Sequence, residues 1–404
     1  MISKNGLAKI FFKSKPVAAC SYSLFVALML VAPLMVAGTA NAAPRMIPAP
    51  PSLSATSWLL IDANSNYVIV EENADQPLPP ASLTKMMTSY IASEQIESGN
   101  ISMADEVLIS EKAWRKGGSK MYIRVGTRVA LEDLMRGIII QSGNDASIAV
   151  AEHIAGSEDA FADLMTQQAI ALGMNNTQYQ NATGWPAEDH YTTARDLSIL
   201  AQAIINNHPE HYKMYAEKEF TYNEIRQPNR NKLLWRDPSV DGIKTGHTEE
   251  AGYCLVSSAE RNGMRLIAVV MGTKSENARA NESMKLLTYG FRFFETVKSY
   301  EAGGQVVEPE IWLGKRDAIK LGVNEDIWIT IPRGADKEVK AQLDFPSQLK
   351  APITKGDEVG TVKLMLDDQV LKEAPLVALE DIEEAGIFKR LWQTILLFVM
   401  SFFE

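Results

Sequence analysis

The chain has 404 residues, of which 46% are hydrophobic, so it is long enough to bury one large core and a smaller domain. Its 50 acidic residues outnumber its 40 basic ones and give a formal net charge of -10 at pH 7. A field of this sign repels phosphate backbones, and the sequence has no basic stripe, so we expect no nucleic-acid partner.

Residues 1–42 have the pattern of an export signal. Four lysines precede an apolar run from Val17 to Gly38, and Ala40-Asn41-Ala42 offers the small residues of a cleavage site. The alternative is a retained transmembrane anchor, since the apolar run is long for a signal. The small-residue site and the proline-rich stretch that follows favour cleavage after Ala42, and hence an exported protein.

The next segment, residues 43–299, alternates strand-like runs with long amphipathic helices. Its start predicts a hairpin, with Trp58 to Ile61 and Tyr67 to Val70 on either side of an Asn-Ser-Asn turn. Its end predicts three consecutive strands, Gly242 to Thr248, Gly252 to Ala259 and Met264 to Gly272. We therefore expect an α/β (α+β) domain with an antiparallel sheet flanked by helices.

A helix that begins just after Pro79-Pro80 carries the first chemically reactive pair. Its apolar residues recur at helical spacing and predict one buried stripe, formed by Leu83, Met86, Met87, Tyr90 and Ile91. Ser82 and Lys85 are three residues apart, which brings their side chains together on one face. A serine is an effective nucleophile only when a neighbour takes its proton. Lysine can do so if burial and a second cation lower its pKa well below ~10.4.

Two further motifs provide partners for this pair. Lys244-Thr245-Gly246 lies on a predicted edge strand and supplies the second cation, and the glycine leaves room for a ligand against the backbone. Ser142-Gly143-Asn144 forms a turn between two helical runs, where the hydroxyl and the amide could bridge the two lysines and hold a substrate amide. Ser142 could equally be a helix cap, which is compatible with catalysis.

Short motifs of this kind also occur elsewhere by chance, and their context separates them. Ser347-Gln348-Leu349-Lys350 lies between prolines in a β-rich segment, where a helix is not expected. Ser98-Gly99-Asn100 ends the Ser82 helix about 24 Å along its axis and cannot reach Ser82. The Lys-Thr-Gly triplet occurs once.

The chain ends in a β-rich segment and an apolar tail. Residues 300–385 contain short alternating strands separated by glycine, proline and aspartate, which predicts a small β-sandwich. Residues 386–404 predict an amphipathic helix that is shorter than the ~20 residues needed to cross a bilayer. We expect it to lie in the membrane interface, with Lys389 and Arg390 near the headgroups and three aromatic side chains, Phe388, Trp392 and Phe398, among the lipids. The alternative is a core helix docked on the protein.

In their order along the chain, the motifs at Ser82, Ser142 and Lys244 resemble those of the penicillin-binding protein and serine β-lactamase superfamily. Wider stretches resemble more narrowly the low-molecular-mass D-alanyl-D-alanine carboxypeptidases of Gram-negative bacteria. These stretches are Pro80 to Thr88, Gln141 to Asp145, Asn229 to Asn231 and Asp241 to Thr248. The likeness covers nearly the whole chain, including the signal, the β-domain and the tail.

The resemblance implies a catalytic role for three residues. Ser82 would attack the carbonyl carbon of the penultimate D-alanine, Lys85 would take its proton, and Ser142 would relay a proton between lysines. The oxyanion would rest on the backbone N–H groups of Ser82 and His247.

The resemblance also implies how the substrate is held. Asn144 would bind the peptide amide, and the terminal carboxylate would be bound beside Gly246 by Lys244, Thr245 and Arg230. Arg230 could instead be an ordinary surface arginine.

No metal or other cofactor is expected. His208 and His211 lie on either side of Pro209, so they are not expected to form the helical histidine pair typical of zinc sites. Cys254 lies within a predicted strand and is expected in the core. It would be the single cysteine after signal cleavage, which excludes an internal disulfide.

The partners implied are peptidoglycan stem peptides ending in D-Ala-D-Ala, β-lactams as covalent inhibitors, and the membrane surface at the periplasmic face of the inner membrane. One alternative is a β-lactamase on the same fold, which would need a further base to hydrolyse the penicilloyl ester quickly. The other is a non-catalytic wall-binding or shape protein. The intact set of serines and lysines disfavours it.

Overall fold

The computed structural model describes residues 47–402, so the predicted export signal lies outside the described residues. The chain divides into two compact units. Among the described residues, the first unit comprises 49–297 and 328–333, and the second comprises 47–48, 298–327 and 334–402.

Among its described residues, the first unit contains nine whole strands, parts of two more (294–297 and 328–332) and nine α-helices. The strands are β1 (Ser57–Asp62), β2 (Val68–Glu72), β3 (Glu106–Leu108), β4 (Arg128–Ala130), β5 (Glu219–Tyr222), β6 (Ile225–Pro228), β7 (Val240–Thr248), β8 (Gly252–Arg261) and β9 (Met264–Thr273). The helices are α1 (Lys85–Glu97), α2 (Glu111–Arg115), α3 (Leu131–Arg136), α4 (Asn144–Ala155), α5 (Glu158–Ala171), α6 (Ala194–Asn207), α7 (Pro209–Tyr212), α8 (Leu233–Arg236) and α9 (Glu276–Phe293).

The central sheet has five strands in the order β2-β1-β9-β8-β7, and all four neighbouring pairs are antiparallel. Successive residues of β1 face opposite sides: Leu59 packs in the cluster that includes α1 and α4, and Leu60 packs with Leu286 of α9. The hairpin between β8 and β9 turns at Asn262-Gly263, both with positive φ, as a two-residue turn of this type requires. The predicted antiparallel sheet flanked by helices is therefore confirmed.

Helix α1 lies at the centre of the first unit. All five apolar residues of the predicted stripe are buried. The burial extends further than predicted, because every residue from Lys85 to Ser93 is buried, on all sides of the helix. Other helices surround α1, so its polar residues must find partners inside the protein.

The second unit is all-β apart from its end, as predicted. The remaining strands are β10 (Phe294–Tyr300), β11 (Gln305–Val307), β12 (Ile311–Trp312), β13 (Leu321–Gly322), β14 (Ile327–Pro332), β15 (Lys340–Asp344), β16 (Leu349–Lys350), β17 (Glu358–Leu366) and β18 (Gln369–Ala378). Of these, β10 begins in the first unit, and β14 belongs to it except for its first residue. Five of them form a sheet in the order β11-β13-β18-β17-β15. A cluster that includes Ile319, Leu321 and Ile382 forms its core.

The last helix, α10 (Ile387–Met400), touches its own unit through polar residues and leaves most of its apolar residues exposed. Gln393 accepts a hydrogen bond from the Leu313 backbone N–H at 2.6 Å, and Lys389 donates to Gly314 O at 2.8 Å. Within α10 only Leu397 is buried, whereas Phe388 is 86% exposed. Across residues 47–402, no helix has the length and apolarity required to span a membrane.

Candidate active site

The serine and the first lysine are joined at the start of α1. Ser82 lies in a single 3-10 turn, Ala81–Thr84, that leads into α1. Lys85 Nζ lies 3.0 Å from Ser82 Oγ and also donates to Asn144 Oδ1 at 2.8 Å and to Thr183 O at 2.5 Å. All three acceptors are uncharged, so none of them favours the ammonium form as a carboxylate would.

The environment of Lys85 makes it a base near neutral pH. Its side chain is fully buried, and this burial, aided by the positive charge of Arg230, lowers the pKa of Lys85 from 10.5 to about 7. A substantial share of Lys85 is therefore neutral at pH 7, where it can accept a proton from the Ser82 hydroxyl. The sequence predicted this shift from burial and a nearby cation, but the largest cationic contribution comes from Arg230 and not from Lys244.

A second hydroxyl and lysine pair lies beside the first. Lys244 Nζ donates to Ser142 Oγ at 2.9 Å and to Thr245 O at 3.1 Å. Burial and the neighbouring charge of Lys85 hold the pKa of Lys244 well below its usual value. Ser142 follows a π-helical turn and has φ 63, a left-handed conformation that is uncommon for serine and typical of functional sites.

Asn144 connects the Ser82 pair to a neighbouring loop. Its Oδ1 accepts from Lys85, and its Nδ2 donates to Gly117 O at 2.7 Å. Both ends of this amide are therefore engaged within the protein. The resemblance implies that Asn144 binds the substrate amide, and here its side chain also fixes the lysine and the loop around Gly117.

The third motif passes close to the Ser82 turn on edge strand β7. A Cβ on Gly246 would come within 3.1 Å of Pro80 O, so the glycine permits close packing of β7 on the catalytic turn. The sequence left room at Gly246 for a ligand, and the residue does line the open cleft, whereas on the side where a Cβ would lie it meets protein atoms. The exposed ring of His247, one residue on, stacks on Tyr253 with centroids 3.9 Å apart.

Seven of the nine predicted site residues line one cleft of about 860 Å³. They are Ser82, Ser142, Asn144, Arg230, Thr245, Gly246 and His247. The other two, Lys85 and Lys244, are buried and hydrogen-bonded to Ser82 and Ser142, respectively. Arg230 Nε donates to Gln141 O at 3.1 Å, which places this arginine next to the Ser142 turn.

Several residues of the site were not predicted from the sequence. Arg279 of α9 is 5% exposed and donates to Gly246 O at 3.0 Å, which adds a cation behind β7. Asp145 is fully buried and accepts from the backbone N–H groups of Met121 and Tyr122, both at 3.0 Å. The position of Asp145, a charged residue directly after the Ser-Gly-Asn turn, was a signal in the sequence that could have indicated this contact. No local pattern pointed to Arg279.

The structure brings a third residue to His208 and His211. Both imidazoles lie beside Glu97, and one ligand atom from each of the three residues lies within 4.8 Å of the others. The sequence argument considered only a pair on one helix, and it missed a third residue supplied by the distant end of α1. Cys254 is fully buried, as predicted, and burial raises the pKa of its thiol to about 11.

Comparison with known proteins agrees with this geometry. Residues 44–275 match the peptidase S11 family model, described as D-alanyl-D-alanine carboxypeptidase, and residues 294–384 match the model of the penicillin-binding protein 5 C-terminal domain. The chain is 46% identical over 354 residues to the D-alanyl-D-alanine carboxypeptidase DacA of Escherichia coli strain K12, which covers 86% of this chain and 88% of that protein.

Solved structures agree as well. Penicillin binding protein 5 from Haemophilus influenzae is 43% identical with a TM-score of 0.81, covering 83% of this chain and 100% of that chain. The ampicillin-bound form of Penicillin-Binding Protein D2 from Listeria monocytogenes is 29% identical with a TM-score of 0.56, covering 60% of this chain and 100% of that chain. On its motifs, its fold and these matches, the chain belongs to the peptidase S11 family of D-alanyl-D-alanine carboxypeptidases.

Proposed function

We propose that Ser82 is the nucleophile of this carboxypeptidase and that neutral Lys85 is its base. The observation that carries the proposal is the 3.0 Å contact between Lys85 Nζ and Ser82 Oγ, with a Lys85 pKa of about 7. Lys85 takes the hydroxyl proton as Oγ attacks the carbonyl carbon of the penultimate D-alanine. The C–N bond then breaks, and the peptide remains on Ser82 as an ester. Water hydrolyses this ester and restores the serine.

The leaving D-alanine needs a proton on its amine, and the second pair is suited to supply it. Ser142 Oγ accepts from Lys244 Nζ and can pass its own proton onward while it receives one from the lysine. The tetrahedral oxyanion that forms when Ser82 attacks the carbonyl would be bound by the backbone N–H groups of Ser82 and His247, in line with the family resemblance.

The terminal carboxylate of the substrate would be bound by Arg230, Lys244 and Thr245. Arg230 and Thr245 line the cleft, and Lys244 is bonded to Ser142 at its wall. A bound carboxylate raises the pKa of a nearby lysine, so substrate binding itself would favour the charged form of Lys244. Recognition and charging are thus coupled, which favours substrates that end in a free carboxylate.

The natural substrates proposed are peptidoglycan stem peptides ending in D-Ala-D-Ala. β-Lactams would be covalent inhibitors because they present a reactive carbonyl to the same serine. We assign the export signal to residues 1–42, the catalytic domain to 43–299, the β-domain to 300–385 and the membrane-binding helix to 386–404. The signal would direct the enzyme to the periplasm.

Helix α10 would hold the enzyme at the periplasmic face of the inner membrane. Its exposed apolar residues, among them Phe388, Trp392 and Phe398, form the surface that would enter the lipid interface. Lys389 and Arg390, which the sequence assigned to lipid headgroups, are also paired with Asp317 and Glu384, which offset their charges. Apolar burial, and not attraction to anionic headgroups, would therefore dominate this binding.

The direct test is release of free D-alanine from a diacyl-D-Ala-D-Ala peptide. The intact protein should release it, and Ser82→Ala should reduce the rate to background. A Ser98→Ala variant is the matched control. Ser98 lies just after α1, in the Ser-Gly-Asn sequence that is too far from Ser82 to reach it, so this substitution should leave the rate unchanged. No release by the intact protein would favour the non-catalytic alternative, and full activity in Ser82→Ala would exclude Ser82 as nucleophile.

A further inference from the structure

A cluster of three potential metal ligands lies at the end of α1 opposite the catalytic serine. Glu97 is the last residue of α1. His208 immediately precedes the short helix α7, and His211 lies within it. His208 Nδ1 is 2.9 Å from Glu97 Oε2, and His211 Nδ1 is 3.9 Å from Glu97 Oε1. Two segments far apart in the sequence thus converge on one carboxylate.

Three of the four histidine nitrogens of this cluster lack hydrogen-bond partners among the described residues. His208 is 3% exposed, and neither of its ring nitrogens makes a hydrogen bond, nor does Nδ1 of His211. The 2.9 Å contact between His208 and Glu97 has the distance of a hydrogen bond but not its geometry. Buried polar atoms are rarely left in this condition, because desolvation without a partner is costly.

A second carboxylate stands on the far side of His208. Glu94 Oε1 lies 3.9 Å from His208 Nε2 and accepts a 2.9 Å hydrogen bond from Tyr90 Oη. Asn207 Nδ2 in turn donates to Tyr90 Oη at 3.0 Å. Histidines that bind metals commonly direct their second nitrogen toward a carboxylate, which orients the ring and strengthens the ligand.

We propose that Glu97, His208 and His211 bind one Zn²⁺ ion. Two imidazole nitrogens and one carboxylate are donors that Zn²⁺ accepts readily, whereas Mg²⁺ and Ca²⁺ prefer all-oxygen sites. Ligand distances of about 2.0–2.2 Å require the three groups to draw closer. The Glu97 side chain is 44% exposed and can move inward to achieve this. The fourth position would be taken by water.

This site is structural and not catalytic. Glu97 lies 12 residues after Lys85 on the same helix, about 18 Å along its axis, so a bound ion cannot touch the reacting atoms. The ion would instead tie the end of α1 to the chain that follows α6. Because the unfolded chain lacks the arranged ligands, binding would stabilise the folded state.

The test uses the full-length exported protein, purified without a histidine tag and stripped with a chelator. Calorimetric titration should show one Zn²⁺ bound per chain. At free Zn²⁺ 100 times the Kd, the ratio of folded to unfolded protein should rise about 100-fold, seen as a higher Tm. Mg²⁺ should have no effect.

Three variants decide whether these residues form the site. Glu97→Gln and His211→Ala should each abolish the Zn²⁺-dependent rise in Tm. His153→Ala, which removes a histidine and carboxylate contact with Asp105 elsewhere, should retain it. Far-UV circular dichroism would show that each variant is folded. If His211→Ala does not fold, Glu97→Gln decides, because its side chain is at the surface.

Absence of a saturable one-to-one titration would overturn the proposal. So would a rise in Tm that persists in Glu97→Gln or that is lost equally in His153→Ala, since either result places the ion elsewhere. None of these outcomes depends on carboxypeptidase activity, so the metal site and the proposed function fail or stand separately.

Discussion

Lys85 donates a 2.8 Å hydrogen bond to the side-chain oxygen of Asn144, so a residue of the second motif holds the base of the first. The acceptor is a neutral amide, and this neutrality matters. A carboxylate at the same position would stabilise the ammonium form of Lys85 and raise its pKa. The contact therefore holds Lys85 in place without adding the negative charge that would raise its pKa.

The first prediction uses this contact to test the base. Acylation of the unaltered enzyme should increase as pH rises through about 7 and then level off, because deprotonated Lys85 is the active form. Asn144→Asp should move the midpoint upward by one pH unit or more and slow acylation at pH 7 at least tenfold. Stopped-flow measurement of penicillin acylation against pH gives both values. An unchanged midpoint in Asn144→Asp would contradict the assignment of Lys85 as base.

The second prediction concerns the effect of Lys85 on the free energy of unfolding. The pKa of Lys85 is 10.5 when unfolded and about 7 when folded, a difference that corresponds to about 5 kcal/mol against burying the charged form. The folded state thus binds fewer protons than the unfolded state between these values. The penalty is full below pH 7 and is lost as pH rises toward 10.5.

Lys85→Met should consequently increase the free energy of unfolding, and the increase should be larger at pH 6 than at pH 9. Lost hydrogen bonds to Asn144 and Thr183 offset part of it, so a net gain of about 1–3 kcal/mol at pH 6 is expected. Urea unfolding at the two pH values measures this difference. Lys218→Met, at an exposed lysine, is the control and should show no pH-dependent gain. If Lys85→Met were less stable than the unaltered protein at pH 6, burial of the charged lysine would not be unfavourable, and the prediction would be wrong.

The third prediction concerns recognition of the terminal carboxylate. Arg230→Gln should reduce kcat/KM for a D-Ala-D-Ala peptide at least tenfold more than for a simple ester that lacks the carboxylate. Arg226→Gln, a matched change at an exposed arginine paired with Glu219, should affect neither substrate. Steady-state kinetics on the two substrates decide the matter. Equal losses on both would remove Arg230 from carboxylate binding.

Lys244→Ala extends the same comparison. It should also impair the peptide more than the ester, but it should slow the ester too, because Ser142 loses the lysine that supplies its proton. A Lys244→Ala enzyme with an unaffected ester rate would restrict Lys244 to carboxylate binding.

The fourth prediction separates the two roles possible for α10. Deleting residues 387–404 should release the exported protein from membranes while activity on small peptides stays within about twofold. Roughly six large side chains entering the lipid would contribute on the order of 10 kcal/mol before ordering costs. Co-sedimentation with vesicles measures the release.

A triple substitution provides the sharper control. Changing Phe388, Trp392 and Phe398 to serine keeps Gln393 and Lys389, which bind the helix to its own unit. This variant should also leave the membrane. If it still sediments with vesicles, the exposed apolar residues are not the anchor. If it loses activity on a soluble peptide, the helix has a structural role.

The sequence was sufficient where the signals were local. Helical spacing placed Ser82 beside Lys85, and alternating strands predicted the antiparallel sheet and the position of Lys244 on its edge. These predictions succeeded because period and turn chemistry are short-range properties. The order of the three motifs, combined with the family resemblance, brought the separate pieces into one site.

Residues joined by tertiary packing were beyond such reasoning. Arg279 reaches Gly246 from a helix that follows β9, and Glu97 meets His208 across more than 100 residues of chain. Neither contact leaves a periodic pattern in the sequence. The burial of α1 on all sides was likewise missed, because a helical stripe reports only the most apolar face.

The central claim is that Ser82 forms the covalent intermediate, and one measurement tests it most directly. The protein is incubated with benzylpenicillin and digested, and mass spectrometry locates the adduct. We predict one penicilloyl group per chain on the peptide that contains Ser82, and no adduct in Ser82→Ala. An adduct on any other residue, or labelling that persists in Ser82→Ala, would contradict the account.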